Sequence, residues 1–123
     1  MHIHLETPEK NTIQSYSSND IQINSIHYGR SLIVSRQEII SDVQIKHINE
    51  MNEPYLALLL KNNPEVIVIG HSQSGVFPSP EWASRLSQQG IGIEFMSIGA
   101  ACRTYNVLLG EERAVVAGFI LSA

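Results

Sequence analysis

Apolar and polar residues alternate in the first third of the chain and recur at helical spacing later, with the change falling near Asn52. Three early stretches, Thr12 to Tyr16, Ile21 to Ile23 and Ser31 to Ser35, are short and alternating, and Ser17-Ser18-Asn19-Asp20 is the clearest turn between them. They predict half-buried strands forming a small antiparallel layer over about 1–48. At Asn52 a side-chain cap, Pro54 in the first turn and the spacing of Tyr55, Leu58 and Leu59 predict a helix over 53–62, stopped by Asn62-Asn63-Pro64. Val66-Ile67-Val68-Ile69 is an unbroken β-branched run ending in Gly70, which predicts a strand covered on both faces and placed inside a sheet. Ser79 as cap, Pro80 in the first turn and Gly90 as stop predict a helix over 80–89. Strands over 91–96 and 114–121 enclose a third helix over 98–109, capped by Ser97.

Alternating helix and strand after Asn52 requires some parallel pairing. The predicted class is therefore α/β: a sheet with helices covering it and at least some parallel pairing, with the small antiparallel N-terminal β layer in front. A length of 123 residues suits one domain over 1–123, and 43% hydrophobic against 16% charged residues supplies a core. Such a core needs no disulfide or metal staple, and no cofactor is assigned. A net charge of -4 with scattered bases excludes the electrostatic footprint of a nucleic-acid binder. The apolar runs are too short to span a bilayer, and Met1-His2-Ile3-His4-Leu5-Glu6 lacks the basic and apolar segments of a secretory signal. With one cysteine and therefore no internal disulfide, the expectation is a soluble cytoplasmic protein.

Gly70-His71-Ser72-Gln73-Ser74-Gly75 after a strand invites comparison with a hydrolase nucleophile elbow. The comparison fails: glycine falls at 75 rather than 74, and His2, His4, His27, His47 and His71 all precede Ser72. A phosphate loop fails as well, because Val76-Phe77 stand where Lys and Ser/Thr belong. His2 and His4 share a strand face without a third metal ligand and read as a solvated edge. His71 is the histidine that follows a buried strand, where α/β sheets gather ligands. Ile98, Ala101, Cys102, Tyr105 and Leu108 form the apolar stripe of the third helix, so Cys102 is predicted buried and unreactive. Arg103 lies off the stripe and reaches either solvent or a cleft mouth.

The segment from Gly90 to Leu108, and above all Ala100-Ala101-Cys102-Arg103-Thr104-Tyr105-Asn106, carries a family likeness. With Tyr28 to Ser35, Pro64 to Gly70 and Phe77 to Pro80, it resembles a widespread domain family of mitochondrial respiratory complex I assembly factors of the factor-three type and their uncharacterised bacterial relatives. The likeness covers nearly everything after about Gln22. It implies a three-layer α/β domain around a mixed sheet and a role in protein assembly, with no established catalysis. Two departures stand out: Ser97-Ile98 replaces the family's Asp-Thr, and Gly70-His71-Ser72 replaces Gly-Thr-Gly. The leading expectation is thus a non-enzymatic protein-binding assembly or accessory factor. The alternative is a small-molecule or anion binder using a cleft between the loop after Gly70 and the helix start at Ser97. For that cleft the candidate residues are Gly70, His71, Ser72, Ser97, Arg103, Thr104 and Asn106, with no catalytic or metal-binding residue assigned.

Overall fold

The computed structural model describes residues 9–73 and 75–122. Strands β1 (Ile13–Tyr16), β2 (Ile21–Ile23) and β3 (Ile26–Tyr28) form an antiparallel sheet in the order β1-β2-β3. The larger sheet contains β4 (Leu32–Ser35), β5 (Ile39–Ile40), β6 (Val66–His71), β7 (Gly92–Met96) and β8 (Val115–Ile120), in the order β5-β4-β8-β6-β7. It is mixed: β6 runs parallel to both β7 and β8, and β4 runs antiparallel to β8 and β5. Helices α1 (Glu53–Leu60), α2 (Pro80–Gln88) and α3 (Ile98–Gly110) cover it.

Strand alternation divides the core. Ile67, Ile69, Val116 and Ile120 face α1 and α2, while Val68, Val115, Ala117 and Phe119 face α3 and the small sheet. Both faces of β6 and β8 are buried, which explains their nearly uninterrupted β-branched and aromatic runs. β6 lies between β7 and β8, inside the sheet as its apolar run predicts. The three predicted caps form, with Asn52 Oδ1 accepting from the Tyr55 amide at 3.0 Å, Ser79 Oγ from Glu81 at 3.4 Å and Ser97 Oγ from Ala100 at 3.3 Å.

The early third departs from its expected form. Leu32–Ser35 is buried at all four positions and joins the large sheet instead of the N-terminal layer. Its partner β8 follows some eighty residues later, a pairing that local alternation does not encode. β3 and β5 have no counterpart among the predicted strands; β5, with two residues, is too short for a periodicity to register. The β2–β3 connection turns through Asn24 and Ser25, both at positive φ (53° and 66°), as a two-residue hairpin requires. His2 and His4 lie outside the described residues.

Polar clips fasten the small sheet to α3. Asn106 accepts from the Ile13 amide and donates to the Ile13 carbonyl, both at 2.9 Å, replacing the bonds a neighbouring strand would provide. Tyr105 donates to the Asn11 carbonyl at 3.0 Å. These contacts bring the end of β1, and Tyr16 with it, over the first turn of α3.

Candidate functional site

Two clefts meet where the parallel strands β6 and β7 end, the edge at which α/β sheets usually receive ligands. One, of about 320 Å³, lies between the loop after β6 and the end of β7, lined among others by Phe77, Pro78, Phe95 and Met96. The other, of about 340 Å³, lies between the end of β1 and the start of α3, lined by Tyr16, Ser17, Ser18, Ile98 and Gly99. His71, Ser72 and Ser97 line both and form the ridge between them. A third cavity of about 340 Å³, under residues 40–45 and the start of α1, contains none of the predicted site residues.

His71 ends β6 half-buried, and its Nδ1 accepts from the Gln73 amide at 3.3 Å. An amide can only donate, so Nδ1 is unprotonated and the neutral ring carries its proton on Nε2. Burial, which disfavours the charged ring, lowers the His71 pKa below its ordinary 6.5. Above that value the folded and unfolded ring are both neutral; as pH falls below it, the unfolded chain takes up the proton first and folding weakens. The acids Glu38, Glu53 and Glu65, held low by their hydrogen-bonded partners, lose their contribution only below 4.5. A thermal melt titrated from pH 6.5 to 4.5 is therefore expected to fall less steeply for His71→Gln than for the wild type.

The remaining predicted residues divide between the clefts and the scaffold. Ser72 Oγ meets Ser122 Oγ at 3.3 Å, an arrangement without an imidazole to activate it. Ser97 is spent partly on capping α3. Arg103 turns back along its helix and donates from Nη1 to the Tyr16 hydroxyl at 2.6 Å. Gly99 makes this contact possible, because a Cβ there would lie 3.0 Å from the Tyr16 ring and 3.2 Å from Arg103 Nη1. Gly70 is buried and serves packing: its bare Cα lets α3 approach β6, where a Cβ would stand 2.7 Å from Ala101 Cβ. Like Gly70 and Arg103, Thr104 and Asn106 line neither cleft. At 1.5 Å per residue they sit about 10 and 13 Å along α3 from Ser97.

Tyr16 and Phe77 are not among the residues predicted for the cleft, and Gln73 is there only as part of the loop after Gly70. Gln73 anchors the loop, accepting from the Ile48 amide at 2.8 Å and donating to the Lys46 carbonyl at 3.2 Å. Phe77 stands 86% exposed, and the signal for it was a large aromatic inside a Gly-, Pro- and Ser-rich loop.

Residues 13–120, which include both clefts, match the family model described as "Protein of unknown function (DUF498/DUF598)". The chain belongs to this family. A DUF498/DUF598 chain of this kind is 32% identical over 94 residues to the "13 kDa major membrane protein" of Francisella tularensis subsp. holarctica (strain LVS), covering 76% of each. Its fold matches the solution structure of a Xanthomonas campestris protein with a TM-score of 0.81 at 27% identity, over 99% of this chain and 93% of that one. It also matches the solution structure of a Bordetella pertussis protein described as an Mth938-like domain, with a TM-score of 0.71 at 24% identity, over 100% of this chain and 94% of that one.

Within the DUF498/DUF598 segment the one thiol is buried, as the helical stripe predicts: Cys102 is 1% exposed, and burial pushes its pKa up to about 12 despite Arg103 beside it. A thiol reagent at neutral pH is expected to label the native protein far more slowly than the urea-unfolded chain; equal rates would mean an accessible thiolate.

Proposed function

We propose that this protein is a non-enzymatic binding module, an assembly or accessory factor whose partner docks on the face at the ends of β6 and β7. The observation that carries this reading is the loop residue Phe77, 86% exposed beside the 40% exposed Val76 and rimming an open apolar cleft. A loop that holds an aromatic ring out in water, while Gln73 ties its base to residues 46–48, is built to present that ring. The resemblance of Gly90 to Leu108 to assembly factors of respiratory complex I fits the same use. We place the docking event on the cytoplasmic side. The Francisella relative is named a membrane protein, and a partner that is itself seated in a membrane fits that name.

Affinity purification of the tagged full chain from its native cell tests this, with Phe77→Ser compared against Val107→Ser. Val107 is also exposed, at 59%, but lines neither cleft. The proteins enriched by the wild type should be lost with Phe77→Ser and kept with Val107→Ser. Retention by both variants would overturn the reading.

A second reading, a small-anion site, draws on one specific observation: Arg103 leans toward the amide end of α3 through Tyr16. A thermal-shift screen with phosphate and dicarboxylates should then raise the midpoint of the wild type and not of Arg103→Ala. An unmoved midpoint dismisses it.

A further inference from the structure

We infer that the partner segment received by this face is an acidic peptide, with an aspartate or glutamate set beside aromatic or aliphatic residues. The inference rests on the docking reading above and adds the chemistry of the occupant. Its basis is a charge pattern peculiar to this end of the molecule.

Among the described residues four of the five arginines meet a carboxylate: Arg30 with Asp42, Arg36 with Glu9, Arg85 with Glu53 and Arg113 with Glu65. Arg103 is the exception. Its guanidinium is held in place by a neutral hydroxyl, that of Tyr16 at 2.6 Å, so it is oriented without being neutralised. The helix beneath it shows the same want of acid. α1 and α2 begin with Glu53 and Glu81 in their first turns, whereas the first turn of α3 holds no acid to offset its positive end. Although the chain has 12 acids, neither cleft is lined by Asp or Glu among the described residues. On the far side of the loop, Gln73 Nε2 donates to the Lys46 carbonyl at 3.2 Å and lies 2.6 Å from His47 Nδ1, which holds the base of the loop in place.

The centre of the face is apolar: Val76 and Phe77 are exposed, and Phe95 and Met96 line the cleft beside them. A bare inorganic ion would satisfy Arg103 and leave this surface wet. A peptide with an acidic and an apolar side chain a few residues apart engages both, the first at Arg103 and the second against Phe77. The neutral His71 ring, with its proton on Nε2, sits on the ridge between the two contacts and is oriented by Gln73 to donate a hydrogen bond.

Selection of random short peptides displayed on phage against the intact chain, followed by fluorescence anisotropy with the selected peptides, tests this. The enriched peptides are expected to combine Asp or Glu with Phe, Trp or Leu. Arg103→Glu should weaken them about tenfold or more, and exchange of the peptide's acid for lysine should restore binding to that variant. Tyr16→Phe, which frees Arg103 without removing its charge, should weaken binding less. Peptides that need Phe77 but show no acid and no response to Arg103→Glu would overturn the acidic assignment while leaving the docking face in place. Peptides indifferent to Phe77→Ser would remove both. Arg103-dependent sedimentation with phosphatidylcholine–phosphatidylglycerol vesicles, in the absence of any acidic peptide selection, would overturn the peptide in favour of a lipid surface.

Discussion

Gly70→Ala is expected to cost about 3 kcal/mol of stability and to lower the thermal midpoint by roughly 10 °C or more. The methyl group would stand 2.7 Å from Ala101 Cβ and 3.0 Å from Phe119 Cδ1, both in the fully buried layer under α3. Neither neighbour is the loose end of a flexible chain. Relief therefore requires α3 to move off β6, carrying Ser97 and the wall of both clefts with it. Calorimetry on the purified variant checks this, and a midpoint within a degree or two of wild type would mean that the close approach is not a tight constraint. Gly70, a candidate ligand contact in the sequence reading, thus acts on the site through the backbone spacing it permits.

The second large effect lies on the opposite face of the sheet. Gly118 in β8 sits directly under the Tyr55 hydroxyl, and a Cβ there would overlap that oxygen and lie 3.0 Å from Ile69 Cδ1. Gly118→Ala should cost about 2 kcal/mol or more. Tyr55 is 2% exposed, its hydroxyl has no hydrogen-bond partner among the described residues, and burial raises its pKa so that it stays protonated. Tyr55→Phe removes a polar atom whose loss of water is uncompensated, and a gain of up to about 1 kcal/mol is expected. The two changes should couple, because the phenyl ring leaves room for the new methyl group: Gly118→Ala should cost less in the Tyr55→Phe background, by about 0.5 kcal/mol or more. Urea titrations of the four proteins measure this cycle directly. Strict additivity would mean that the hydroxyl is not the obstacle.

How far the sequence specified this architecture depends on how local each signal was. The three caps at Asn52, Ser79 and Ser97 were legible because capping is decided within three residues. Val66 to Ile69 was legible because only a strand buried on both faces carries such a run. The destination of β4 was not, since it depends on a strand far along the chain. The site followed the same rule. His71, Ser72 and Ser97 converge because each ends or begins an element at the carboxyl edge of the sheet, which the helix and strand order implies. Asn106 belongs to the same conspicuous stretch as Arg103, yet it lies nine residues beyond Ser97, where the helix has carried it down to Ile13. Tyr16 joined the site through a tertiary contact 87 residues long, for which the alternating pattern of β1 held no signal.

Phe77 is the hinge of the functional account, and the most direct test puts the probe at that position. A photoreactive phenylalanine analogue at residue 77 of the full chain, activated in living cells, should yield one discrete cross-linked protein species. Peptide mapping should place the link in an acidic, apolar segment of that partner, and the same probe at Val107 should yield none of it. Cross-linking that is equally strong from Val107, or absent at 77 while the protein is folded and abundant, would contradict the account.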